Sequence, residues 1–198
     1  MRSIDKEKII VGVDEVGRGP LAGPVAVGVV VTTKDFVTRF KRSVFFTDSK
    51  KMKELDREEV FKKINEQKKD VIYTISFISA GKIDKIGINK AIFEGIKRSL
   101  DRLDVEKDIR IFLDGGLSAP SCFVKQKTIK GGDGTEDVIS LASVLAKVKR
   151  DRRMLRYDRI YPEYGFSSNK GYGTKRHIES IKERGLCKTH RKTFIKKI

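Results

Sequence analysis

The sequence predicts a mixed α/β fold in which helices pack on a five-stranded sheet. Three observations point there. Short runs rich in β-branched residues stop at glycine turns, longer segments repeat apolar residues at helical spacing, and the two kinds alternate along the chain.

Residues 9–13 form a short apolar run, and residues 25–31 a longer one rich in valine. Both read as buried strands joined by the glycine-rich turn VGRGPLAGP. Residues 54–68 have helical composition, with Leu55, Val60, Phe61 and Ile64 along one stripe. Residues 71–78 alternate as a third strand. Residues 88–103 are a helix on which Ile88, Ile92, Ile96, Ser99 and Leu103 recur on one face. Residues 109–113 make a compact strand stopped by Asp114-Gly115-Gly116, and residues 122–129 a fifth. Residues 137–157 form a long helix, and the tail ends in turns and a helix over 174–184. No internal repeat or proline-rich linker interrupts this order, so residues 1–198 are expected to be one catalytic domain. Within it, residues 1–158 would form the core and 159–198 a helical, substrate-binding extension.

The chain has 198 residues, 38% hydrophobic and 36% charged, with a formal charge of +17. That length can bury a core, and that charge attracts polyanions, of which nucleic acid is the commonest. A soluble protein from a lysine-rich proteome would carry the same excess. Cys122 and Cys187 are far apart without metal-type spacing, which suits free thiols in a reducing cytoplasm. The start, MRSIDKEKII, is too short and charged for a signal peptide, and no apolar run reaches membrane-spanning length. The expected place is cytoplasmic, with no membrane contact.

Acids at the ends of strands need an explanation in so basic a chain. Asp14 and Glu15 end the first strand before a glycine turn, Asp114 ends another, and Asp133 precedes the long helix in KGGDGTED. Such positions converge at one edge of an open α/β sheet, where ligands bind. Clustered carboxylates repel unless cations neutralise them, which implies Mg²⁺ or Mn²⁺. Each acid also has an ordinary reading. Asp14 can open a turn, Asp114-Gly115 is a common turn dipeptide, and Asp133, Glu136 and Asp137 complement a helix dipole. Adjacent strand residues point to opposite faces. The strand is therefore expected either to break at Glu15 or to use the Glu15 backbone carbonyl. His177 and His190 are widely spaced, which argues against zinc.

The segment VGVDEVGRGPLAGPVAVGVVV resembles the first motif of the ribonuclease HII family. TDSKK, FLDGG, KGGDGTEDVISLASVLAKVKRDRRM, NKGYGTKRH and THRKTF follow in the family's order. The form Gly17-Arg18-Gly19 is similar to ribonuclease HII, whereas ribonuclease HIII has a lysine variant and an additional N-terminal domain. The first strand begins near residue 9, so type HII is expected. The resemblance implies a ribonuclease H-like sheet and four catalytic, metal-binding acids, Asp14, Glu15, Asp114 and Asp133. The family usually reads lysine-glycine-aspartate where this chain has Lys130-Gly131-Gly132-Asp133, which keeps Asp137 as the alternative fourth acid.

By the same resemblance, two divalent ions about 4 Å apart bind the attacking and leaving oxygens of a phosphodiester. The substrates are RNA–DNA hybrid duplexes and DNA with embedded ribonucleotides, cut 5′ of the ribonucleotide to leave 5′-phosphate and 3′-hydroxyl ends. Gly17, Arg18 and Gly19 would sense the 2′-hydroxyl, which distinguishes RNA from DNA. Tyr172 would pack on the adjacent deoxyribose. Ser49, Lys50, Lys147, Arg150, Lys170 and Arg191 are candidate phosphate contacts, and the chain is expected to act as a monomer. Two other readings stay open on the residues alone. A non-catalytic basic nucleic-acid-binding protein explains the charge but not the four acids. Another nuclease of this fold, such as a Holliday-junction resolvase or transposase core, explains the acids but not GRG and KGYGT.

Overall fold

A computed structural model describes residues 6–195. The first residues of MRSIDKEKII and the last of the chain lie outside them. The sheet contains β1 (Ile9–Val16), β2 (Val25–Thr33), β3 (Ile72–Ile78), β4 (Arg110–Asp114) and β5 (Gln126–Ile129), in the order β3-β2-β1-β4-β5. The pairs β1–β2 and β2–β3 are antiparallel, while β1–β4 and β4–β5 are parallel. The expected five-stranded mixed sheet is therefore present. The helices are α1 (Lys34–Ser43), α2 (Glu54–Glu66), α3 (Ala80–Ile86), α4 (Ile88–Arg102), α5 (Gly132–Thr135), α6 (Asp137–Ile160), α7 (Phe166–Asn169) and α8 (Lys175–Arg184). No described helix is long and apolar enough to cross a membrane.

Two buried clusters lie on opposite faces of the sheet. Ile10 and Val30 pack with α1, α2 and α6, whereas Val11, Val13, Val27 and Val29 pack with α4. This split follows from the strand period, which sends successive side chains to alternate faces. A third cluster joins Ala22, Met154, Tyr164, Phe166 and Ile181, and it seats the C-terminal segments against the turn after β1.

Several boundaries depart from the sequence reading. The first strand does not break at Glu15, because Glu15 pairs with Val27 and Val16 with Ala26. The helix α1 follows β2 without a linker. Thr33 caps it by accepting the Phe36 N–H, and Phe36, Val37 and Phe40 are buried. The fifth strand is shorter than expected. Residues ahead of Gln126 form a turn in which the Phe123 N–H donates to Pro120, and the Gln126 side chain bonds the backbone of Ala119 and Phe123. Leu55, read as part of the buried stripe of α2, is exposed, while Val60, Phe61 and Ile64 are buried.

Candidate active site

Two strand glycines bring α6 close enough to build the site. A Cβ on Gly12 would lie 2.1 Å from the Val138 carbonyl oxygen, and one on Gly28 would lie 2.6 Å from that of Ala142. Gly28 is the cross-strand partner of Asp14. The gap that it leaves lets α6 place Ser143 on the Asp14 carboxyl, which also accepts the Glu15 N–H at 2.7 Å. The Ser143 hydroxyl is 2.8 Å from that of Ser49. Ser143 was not legible as a functional residue, because its neighbours on α6 are buried and a serine there reads as a small packing residue.

Asp14 is only 4% exposed. Burial, then the charges of Glu15 and Asp114, raise its carboxyl well above the ordinary aspartate range, and the Ser143 bond offsets this only in part. Glu15 projects to the other face, where Arg18 Nη1 lies 3.3 Å from its Oε1. Burial still raises the Glu15 carboxyl despite that guanidinium. Arg18 Nη2 donates to Asn89 Oδ1 on α4, a second contact that the sequence did not announce. Although they leave the strand on opposite faces, Asp14 and Glu15 line one cavity, because it lies at the strand's end. Its volume is about 530 Å³, and Gly17, Arg18, Gly19, Ser49, Lys50, Lys147 and Tyr172 line it too.

Asp114 ends β4, whose Leu113 is in register with Val13, so it is carried to the same sheet edge as Asp14. Asp133 sits in the single turn of α5 and donates its N–H to Asp114 Oδ1 at 3.3 Å. Lys50 joins it to the cavity, with Nζ 3.1 Å from Asp133 Oδ2. Partial burial disfavours this ammonium, but the Asp133 bond and the charges of Asp133, Asp48 and Asp14 outweigh it and raise its pKa. Asp137 points elsewhere. It pairs with Lys41 and lines a separate cavity beside Ile10 and Phe112. Among the described residues, no three acids, histidines or cysteines are grouped tightly enough to form a ready-made metal centre.

Two expected phosphate contacts are overturned. Arg150 and Arg191 are both 0% exposed, and their guanidinium groups hold protein backbone instead. Arg191 donates to the carbonyls of Gly17 at 2.7 Å, Arg18 at 2.9 Å and Gly23 at 2.9 Å. Arg150 donates to Pro24 at 3.0 Å and lies against Gly17, where a Cβ would come within 2.0 Å of Nε. Gly17 has φ of +91°, so both its backbone angle and its neighbour require glycine there. Burial, then the charge of Arg150, lower the Arg191 pKa to about 9. The fork of a guanidinium suits this task, since it presents several donors in a fixed plane. Lys170 is half-buried and donates to the Ser167 carbonyl. Lys147 lines the cavity and pairs with Asp151 at 2.8 Å.

The NKGYGTKRH and THRKTF segments are braided onto this turn. Leu21 and Ala22 donate to the Gly171 carbonyl, Gly23 donates to Thr189, and Arg191 donates to Leu21. Tyr172, 47% exposed, stands at the cavity wall. Its carbonyl is 2.8 Å from His177 Nδ1, while His177 Nε2 is 3.0 Å from His190 Nε2. The Cys187 N–H donates to His190 Nδ1 at 2.9 Å. One proton assignment satisfies all three contacts. His190 Nε2–H donates to His177 Nε2, and His177 Nδ1–H donates to the Tyr172 carbonyl. Distance in sequence thus misjudged this pair, which meets in space. Each Nε2 nevertheless faces the other, so the nitrogens bond one another and do not converge on an ion.

The family model described as Ribonuclease HII matches residues 11–197. The ribonuclease HII of Endomicrobium trichonymphae is 41% identical over 185 residues, covering 93% of this chain and 84% of that protein. The crystal structure of ribonuclease H2 from Pyrococcus horikoshii superposes with a TM-score of 0.71 at 26% identity, covering 93% of each chain. Bst-RNase HIII in complex with Mn²⁺ shares the fold, with a TM-score of 0.76 at 16% identity over 96% of this chain and 68% of that one. The match over nearly the whole length, on a mixed sheet of the same architecture, means that this chain belongs to the ribonuclease HII family of ribonuclease H endonucleases.

Proposed function

We propose that this chain hydrolyses the RNA strand of RNA–DNA hybrids and cuts on the 5′ side of ribonucleotides embedded in duplex DNA, leaving 5′-phosphate and 3′-hydroxyl ends. The observation that carries this reading is the single cavity where Asp14 and Glu15 adjoin the Gly17-Arg18-Gly19 turn, Lys50 and Tyr172. It acts as a monomer, and residues 159–198 serve as its substrate-binding extension.

The donor set fits Mg²⁺ or Mn²⁺. Asp14, Glu15, Asp114 and Asp133 offer only hard oxygen ligands, and Asp14 is a buried acid whose ionisation burial and neighbouring carboxylates oppose. Divalent ions held there supply Lewis-acid stabilisation to the phosphate oxygens. The chain's own residues do the rest. Arg191 engages the carbonyls of Gly17 and Arg18. Trans peptides then turn the N–H groups of Arg18 and Gly19 away from it, free to donate to a ribose 2′-hydroxyl. Lys50 and Lys147 neutralise phosphates, and the Tyr172 ring packs on the deoxyribose that follows the ribonucleotide.

The test is incubation with Mg²⁺ or Mn²⁺ and a DNA duplex carrying one ribonucleotide, beside all-DNA and four-way-junction controls. Cleavage of the first substrate alone is expected. Binding without cleavage would mark a non-catalytic basic protein, and junction cutting another nuclease of this fold. Tyr172 supplies a second test. Since the ring acts by shape, Tyr172→Phe should keep most activity. Tyr172→Ala should lose about ten- to a hundredfold, as for one stacking contact. In single-turnover assays the alanine loss should be larger on a single embedded ribonucleotide than on a continuous hybrid. Equal losses would assign Tyr172 a general structural role.

A further inference from the structure

Each acid beside the cavity has a different relation to positive charge. Glu15 is met by Arg18 and Asp133 by Lys50, whereas Asp14 is bonded by the Ser143 hydroxyl and the Glu15 N–H and feels the Lys50 charge without a contact among the described residues. Lys50 differs from Arg18 in how it is carried. Its backbone is fixed within the TDSKK turn. Its own N–H bonds Asp48 Oδ1 at 2.9 Å, Arg57 holds the Ser49 carbonyl at 2.9 Å, and the Ser49 hydroxyl holds Ser143. The side chain beyond this anchor is 78% exposed, so its ammonium can leave Asp133 without disturbing the fold. Its stem reaches from the cavity wall to an acid on α5, and Asp133 bonds through its own N–H to Asp114. An ammonium at 3.1 Å from Asp133 Oδ2 competes directly with any other cation for that oxygen.

We propose that Lys50 is a built-in counter-cation of the acid cluster, which occupies Asp133 in the free protein and is released to a substrate phosphate when a duplex binds. This inference rests on the reading of the acids as metal ligands. Metal and duplex are then coupled through one side chain. Divalent ions bind weakly to the free protein because Lys50 must be displaced, and duplex removes that competitor. By linkage, metal strengthens duplex binding by the same factor.

The experiment is a Mn²⁺ titration of metal-free full-length protein, read by the electron paramagnetic resonance of free Mn²⁺, with and without an all-DNA duplex. Lys50→Met should bind Mn²⁺ about two- to fivefold more tightly than the unsubstituted protein, the range commanded by an exposed ion pair. Duplex should tighten Mn²⁺ binding in the unsubstituted protein and do so less in Lys50→Met. Lys147→Met is the control for charge alone, because Lys147 lines the same cavity but pairs with Asp151. Lys50→Met equal to the unsubstituted protein, or Lys147→Met tightened as much, would overturn the role of Lys50. Mn²⁺ binding that Asp14→Asn leaves unchanged would instead overturn the reading of the acids, and the two failures are therefore distinguishable.

Discussion

Asp14→Asn and Asp114→Asn should each reduce cleavage of a ribonucleotide-containing duplex at least about a thousandfold, a loss of about 4 kcal/mol in transition-state stabilisation. The substitutions remove a charged oxygen ligand yet keep the shape of the side chain. Asparagine at 14 retains an oxygen for the Glu15 N–H and can still bond Ser143. Duplex binding should persist, because fewer negative charges face the phosphates. Stability offers a second readout. The folded-state pKa of Asp14 is raised, so the folded protein holds its proton more tightly than the unfolded chain. Stability from this group is full below the unfolded pKa and is lost as pH rises through the folded one. At pH 7, above the unfolded pKa, the raised pKa makes Asp14 a net cost, and metal-free Asp14→Asn should melt at a higher temperature than the unsubstituted protein. An inactive variant that melts lower would attribute the loss to misfolding. Asp133→Ala should fall in the same activity class as Asp14→Asn. Asp137→Ala should cost under about 1 kcal/mol of stability, as for one helix-terminal charge.

The contrast between Asp133 and Asp137 shows what could be read from the chain alone. Both precede or open the long helix, and an extra glycine blurs their alignment. Only the turn of α5 settles which one adjoins Asp114, through a contact across nineteen residues of sequence that no local pattern encodes. The acids and glycines of the first motif were legible because their roles are local: a strand, a tight turn, a carboxylate at the strand end. The buried arginines were misread for the opposite reason. In a chain with 44 lysines and arginines, a basic residue near the motifs reads as a phosphate contact. Nothing local reveals that Arg191 reaches back more than 160 residues to three carbonyls of the turn. The helix α1 escaped notice because it starts directly after the last residue of a strand, with no glycine or proline between.

The paired histidines should make the protein lose stability in mild acid. Burial lowers both imidazoles. For His190, burial and then the neighbouring His177 bring the pKa from 6.5 to about 4. The folded-state pKa is depressed, so the unfolded chain binds the extra proton more readily. The stabilisation is therefore full above about pH 6.5 and is lost progressively as pH falls toward 4. At 1.36 kcal/mol per pKa unit, His190 accounts for about 3 kcal/mol across that window. Asp14 has the opposite slope, so the measurement belongs in the Asp14→Asn background. There, chemical denaturation at pH 7 and pH 4 should show the advantage of the parent over His190→Asn shrinking by about that amount. With only two histidines in the sequence, their imidazole proton resonances report the cause directly. Neither should titrate with a midpoint near 6.5. Protonating His177 would place a proton on the Nε2 that accepts from His190, so the two rings must part beneath the Tyr172 loop. The cavity wall should then loosen before the sheet unfolds, and cleavage at single ribonucleotides should fail first. An ordinary midpoint for His190, or a pH-independent difference between parent and variant, would sink this account and leave the pair as simple packing beneath the Tyr172 loop.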